Sequence, residues 1–132
     1  MKTWFADTFY FLVILNPTDA AHHRALDVTR GLRVRIFTTT WVLTEVADAM
    51  APKNRQRFSA LLRLLQSNPA SQLIPASQGL FDRGVELYEN RPDKGWSLTD
   101  CISFVVMQDR GITDALTGDH HFEQAGFRAM LK

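Results

Sequence analysis

Thr3-Trp4-Phe5-Ala6-Asp7-Thr8 decides how the rest of the chain is read. Residues 3–7 have the apolar character of a strand buried at the centre of a parallel sheet, where both faces are covered. Asp7 closes the run, and Thr8 opens a short apolar helix through Leu15 that Asn16-Pro17 stops. A strand passing directly into a helix, with a carboxylate at the junction, is how an α/β fold begins. In such sheets functional groups gather beyond the carboxyl ends of the strands.

Working outward, strand-like and helical segments alternate. Thr18 or Asp19 caps a second helix reaching about Arg30 and ended by Gly31, and Arg33-Val34-Arg35-Ile36-Phe37-Thr38 alternates as a second strand. Thr40 begins a helix with Val42, Leu43, Val46, Ala47 and Met50 at helical spacing, broken by Ala51-Pro52. Residues 54–67 form an amphipathic helix whose exposed side is basic through Arg55, Arg57 and Arg63. A short strand at Gln72-Leu73-Ile74 precedes a helix over 78–90, and the loop Asn90-Arg91-Pro92-Asp93-Lys94-Gly95 delivers the chain to Ser97. Ser97 or Thr99 caps a helix ending near Arg110-Gly111. The remainder reads as a strand at 113–117, the loop Gly118-Asp119-His120-His121, a helical turn at 122–125 and a last strand at 127–131. The expected architecture is a three-layer α/β/α domain, residues 1–132, around a central parallel sheet of about five strands.

Bulk properties narrow the function classes. The 132 residues carry 45% hydrophobic and 22% charged side chains, an ordinary balance for a globular chain, and disorder is not indicated. A net charge of +1 is too small to argue nucleic-acid binding from overall charge. The lone Cys101 excludes an intrachain disulfide and sits in an apolar helical run, the setting of a buried structural thiol. Asp7 interrupts the apolar start, no cleavage-site pattern follows Asn16-Pro17, and no stretch reaches the length of a membrane span. A cytoplasmic protein without a membrane partner is expected.

Four carboxylates stand out against this frame. Asp7 and Asp119 follow strands, while Glu45 and Asp100 lie near the starts of helices, which right-handed crossovers bring to the same edge of the sheet. Taken singly, an Asp at a strand end or in a first helical turn reads equally as a cap or a solvated charge. Glu45 fits that bland reading least, because Val42, Val46 and Ala49 share its side of the helix and a partly buried carboxylate needs a partner. Asp100 has the same difficulty beside Ile102, Phe104 and Val105. Several acids converging on one place repel one another unless a divalent cation sits between them.

These residues resemble a family. The early strand ending Ala6-Asp7-Thr8, the helix Thr40-Trp41-Val42-Leu43-Thr44-Glu45, the helix opening Ser97-Leu98-Thr99-Asp100, and Ala115-Leu116-Thr117-Gly118-Asp119-His120-His121-Phe122 followed by Gly126-Phe127 are similar to the motifs of PIN-domain nucleases. The match is to the small prokaryotic type that includes the VapC-like toxins, in family order over nearly the whole chain. The resemblance implies an acidic quartet of Asp7, Glu45, Asp100 and Asp119, with Asp119 at the family's variable position. It further implies an endoribonuclease that holds one or two Mg²⁺ or Mn²⁺, ions suited by oxygen ligands without thiolates. A cognate antitoxin protein and a homodimer, formed through the apolar early helices, are the implied partners.

Supporting roles stay open between function and plain structure. Thr8, Ser97 and Thr117 either hold carboxylates, waters or phosphate oxygens, or act as caps and strand residues. Asp93 either caps a turn or belongs to the outer part of the site. His120 and His121 suggest zinc only weakly and suit outer or surface roles better. Lys53, Arg55, Arg57 and Lys94 are the candidate RNA contacts, against a solvated helix face as the alternative. Trp41 and Trp96 either stack bases or pack in the core. Two rival readings are a non-catalytic PIN-like module that binds RNA or protein, and an aspartyl-phosphate phosphatase, which lacks the expected second acid because position 9 is Phe.

Overall fold

The structure is a computed structural model that describes residues 2–29 and 33–132. The element order is β1(Lys2–Ala6), α1(Thr8–Ile14), α2(His22–Thr29), β2(Val34–Thr39), α3(Thr40–Met50), α4(Arg55–Ser67), β3(Ser71–Ile74), α5(Gln78–Asn90), α6(Leu98–Arg110), β4(Asp114–Leu116), α7(His120–Gln124) and β5(Arg128–Ala129). All strand pairs are parallel, in the order β3-β2-β1-β4-β5. The chain therefore builds outward from β1 in one direction, then returns to build outward in the other. Right-handed crossovers place α1–α4 on one face and α5–α7 on the other. The helix contacts follow that division, α1 with α2 and α3, α3 with α4, α5 with α6, and α6 with α7.

This topology puts a switch point between β1 and β4, where a crevice opens beyond the strand ends. Asp7 leaves β1 there and Thr117 leaves β4, in register through the Ala6–Leu116 pair. The core explains why both strands run so close to the centre. Trp4, Phe5, Ala115 and Leu116 are all at most 1% exposed, and residues 100–107 of α6 are buried on every side. Phe104 meets Trp96 and Phe122 edge-on, with centroids 5.1 and 4.9 Å away. Gly84 lets α5 lie directly on α6, since a Cβ there would stand 2.3 Å from Ile102 Cγ1.

Several expectations need correction. The second helix starts at His22, because Asp19 Oδ1 accepts from the Ala21 amide and uses the preceding residues as a turn. Its expected end at Arg30-Gly31 lies outside the described residues. The last strand pairs over Arg128–Ala129 only, and α7 begins at His120 because Asp119 caps it. The early helices turn Tyr10, Phe11, Val13 and Ala25 inward and leave Phe9, Leu12, Ile14 and Leu15 partly exposed, while the exposed large apolar side chains among the described residues are Leu64, Phe81 and Tyr88.

Candidate active site

Each candidate acid is placed by a local device. Asp7 occupies the junction between β1 and α1, where its carbonyl accepts from the Tyr10 amide and its side chain makes no cap, so the carboxylate is left aimed into the crevice. The Asp7 side chain is 5% exposed, and its Oδ2 accepts from Thr117 Oγ1 at 3.0 Å. Thr117 Oγ1 in turn accepts from the Asp119 amide at 3.1 Å. One hydroxyl thus ties the end of β1 to the loop after β4.

Glu45 stands in the second turn of α3, whose start is fixed by Thr39 Oγ1 accepting from the Val42 amide. Its Oε1 accepts from Thr8 Oγ1 at 2.6 Å, which links α3 to α1. Asp100 and Ser97 form a reciprocal capping box at the start of α6. The Asp100 amide donates to Ser97 Oγ at 3.0 Å, and the Ser97 amide donates to Asp100 Oδ2 at 3.3 Å. Thr8, Ser97 and Thr117 are accordingly both caps or connectors and holders of the carboxylates; the two roles coincide.

His121 is the residue whose part the sequence did not reveal. Its Nδ1 lies 3.0 Å from Asp100 Oδ2 and 3.5 Å from Asp119 Oδ2, while its amide donates to Asp119 Oδ1 at 2.9 Å. The imidazole therefore bridges the two acids on the α6 side. His120 lies on the outer side of Asp119, with Nδ1 3.6 Å from Asp119 Oδ1 and its side chain mostly exposed, and ligand atoms of Asp119, His120 and His121 fall within 4.8 Å of one another. The signal available was the Asp119-to-His121 spacing at a helix start, which turns both side chains to one end of α7. Gly118 is required by close approach, since a Cβ would stand 2.7 Å from the Phe9 ring.

Asp7, Glu45, Asp100 and Asp119 line one open cleft of about 430 Å³ together with Thr8, Phe9, Gly95, Ser97 and His121. Among the described residues, no Lys or Arg lines it. Burial above all, then the charge of Asp100, pushes the Asp7 carboxyl up from 3.8 to about 7, against the Thr8 amide and the Thr117 hydroxyl. Burial also raises Asp100, opposed by His121 and the Ser97 amide. Repulsion and desolvation without a cationic side chain are the conditions under which a divalent ion is bound. The donors are four carboxylates and one imidazole, and no thiolate takes part: Cys101 is fully buried, with its thiol pushed up to about 11 by burial and by Asp100. This set fits Mg²⁺ or Mn²⁺.

Other expectations fare differently. Asp93 does not line the cleft; it is exposed and held by Arg91 in a paired contact, which keeps its carboxyl below the usual range. Lys53, Arg55 and Arg57 border a separate hollow beyond the end of α3, and Arg57 Nη1 donates to the Leu15 carbonyl at the far end of α1 from Asp7. Lys94 lies nearer, in a hollow that shares Gly95 with the cleft. Trp96 is a core residue whose Nε1 donates to Gln124 Oε1 at 3.0 Å.

With this geometry in place, comparison with known proteins decides the family: the PIN domain family model matches residues 5–128. The chain belongs to the PIN domain family. A curated PIN-type relative is the 23S rRNA-specific endonuclease VapC20 of Mycobacterium tuberculosis, from strains CDC 1551 / Oshkosh and H37Rv. It is 24% identical over 123 residues, covering 93% of this chain and 94% of the relative. The crystal structure of M. tuberculosis VapC20, described as a sarcin-ricin loop cleaving toxin, superposes with a TM-score of 0.83 at 23% identity over 93% of this chain and 95% of that one. The PIN fold is therefore shared over almost the full length of both proteins.

Proposed function

We propose that this protein is an endoribonuclease that hydrolyses RNA phosphodiester bonds with Mg²⁺ or Mn²⁺, acting as the toxin of a toxin–antitoxin pair. The observation that carries the reading is the convergence of Asp7, Glu45, Asp100 and Asp119 on one cleft that no Lys or Arg among the described residues lines. A non-catalytic module has no use for buried, mutually repelling carboxylates such as Asp7 and Asp100, which cost stability unless they serve a ligand. VapC20, with the same fold, is named as a 23S rRNA-specific endonuclease, which supports RNA as the substrate class.

Asp7 and Asp100 would hold the ion from the β1 end and from the start of α6, with Glu45 and Asp119 closing the set from α3 and the β4 loop. A bound divalent ion supplies Lewis acidity toward a phosphate oxygen and toward the attacking water. Thr117 orients Asp7, Thr8 orients Glu45, and Ser97 fixes Asp100. His121 Nδ1 lies between Asp100 Oδ2 and Asp119 Oδ2, at 3.0 and 3.5 Å, and so ties the two carboxylates together at the edge of the cleft. No side-chain nucleophile is involved, because the cleft-lining hydroxyls of Thr8 and Ser97 are committed to carboxylate and cap contacts.

The same reading includes a single domain over residues 1–132, a cytoplasmic location, a cognate antitoxin protein and a homodimer. No helix among the described residues is long and apolar enough to cross a membrane. The test is incubation of the purified protein with 23S rRNA and with unrelated RNA, in Mg²⁺, in Mn²⁺ and in EDTA. Cleavage that requires the ion is the expected result, and failure to cut any RNA with either ion would refute the reading.

A further inference from the structure

An RNA phosphate has to approach four carboxylates, so cationic and stacking groups are needed close by. Among the described residues, the cleft itself offers neither Lys nor Arg. Immediately beside it, the end of α5 and the loop into α6 enclose a hollow of about 730 Å³, which shares Gly95 with the cleft. That volume lies within the roughly 300–1,000 Å³ typical of small-ligand sites.

The hollow has the chemistry the cleft lacks. Tyr88 lines it with its side chain 48% exposed, an unusual state for a large aromatic ring in this chain. Arg91 packs over the Trp96 ring, 5.2 Å from its centroid, and Asp93 fixes the guanidinium at 3.0 Å. Lys94 makes no ion pair among the described residues. Glu89 is the one carboxylate among the lining residues, against the two cations. Gly95 forms the shared wall with no side chain, and even a Cβ there would only reach 3.8 Å from His121 Nε2. The two hollows thus meet at a residue without a side chain.

We propose that this hollow binds a nucleotide flanking the scissile phosphate, its base stacked on Tyr88 and its phosphate held by Lys94. The assignment rests on the endoribonuclease reading and adds the subsite that positions the RNA. Aromatic stacking tolerates any base, so the subsite supplies affinity and register, with little choice of sequence. The border shared with the carboxylate cleft at Gly95, the exposed Tyr88 ring and Lys94, which makes no ion pair among the described residues, favour RNA over a protein segment.

The test measures binding and turnover separately, with the full chain. A fluorescent single-stranded RNA is titrated by anisotropy onto protein carrying Asp100→Asn, so that the probe is not consumed, and steady-state cleavage is followed in the otherwise native protein. Tyr88→Ala should weaken RNA binding about ten-fold and Tyr88→Phe should retain it, as expected for a stacking contact. Lys94→Met should weaken binding and lower the slope of log affinity against log salt by about one. In turnover both changes should appear in KM with kcat preserved. Unaltered RNA affinity and KM in Tyr88→Ala and Lys94→Met, with native protein cleaving RNA, would overturn the subsite and leave the enzyme reading standing. Native protein that neither binds nor cuts RNA would overturn both. Loss of affinity for a partner protein with RNA affinity intact would assign the hollow to that protein and overturn the proposal.

Discussion

Asp7→Asn should stabilise the ion-free protein, and by an amount that depends on pH in a defined direction. Asp7 has its carboxyl raised from 3.8 to about 7 in the folded chain, so ionisation is harder in the fold than in the unfolded state. Below about pH 4 the carboxyl is neutral in both states and contributes no penalty; between about pH 4 and pH 7 the unfolded chain releases the proton first and stability falls. Above pH 7 the penalty is complete. Three pH units at about 1.4 kcal/mol each give about 4 kcal/mol. Asparagine removes this penalty while keeping an oxygen to accept from Thr117. The assay is urea denaturation of both proteins in EDTA at several pH values. The expected gain is about 4 kcal/mol at pH 8, about 1 to 2 kcal/mol at pH 5 and close to zero below pH 4. Adding Mg²⁺ or Mn²⁺ at pH 8 should reverse the ranking, since only the protein with all its carboxylates gains binding energy. A substitution that destabilises the ion-free protein at pH 8, or a gain independent of pH, would refute the reasoning.

Thr117→Val removes the hydroxyl shared by Asp7 and the Asp119 amide, so it should cost about 1–3 kcal/mol in thermal denaturation and also weaken Mn²⁺ binding measured by calorimetry. Ser97→Ala breaks the capping box at Asp100 and should cost about 1 kcal/mol of stability, read by the same melts. Gly84→Ala forces a methyl against Ile102 and should cost about 1–3 kcal/mol, whereas Gly79→Ala, on the same helix with nothing within 4 Å of its Cβ, should be stabilising by up to about 1 kcal/mol.

Much of the site was legible because its residues break local rules. Asp7 ends an apolar strand, Asp100 opens a run buried through Met107, and Glu45 sits between the buried Leu43 and Val46, so each carboxylate announced an unmet need for a partner. Strand ends in a parallel sheet also share an edge, which made convergence foreseeable. What local pattern does not carry is the direction of a side chain across elements. His121 was one of two adjacent histidines, and only the packing of α7 against α6 chooses it to bridge Asp100 and Asp119. The basic start of α4 borders a hollow separate from the carboxylate cleft, and Arg57 donates to the Leu15 carbonyl, placements that the sequence pattern alone does not carry. Asp93 is close to Ser97 in sequence, yet Arg91, two residues before it, captures its carboxylate. Helix and strand limits shifted by a residue or two where a cap replaced the expected first turn, as at Asp119 and Asp19.

The most direct test of the central claim is single-turnover cleavage of RNA by the purified native chain and by Asp100→Asn, each in Mn²⁺. Asp100 touches the proposed ion site, and its substitution leaves a neutral side chain able to keep the cap contact with the Ser97 amide. The account predicts ion-dependent cleavage by the native protein and none by a fully folded Asp100→Asn. Cleavage retained in that variant, or cleavage by the native protein in EDTA, would contradict it.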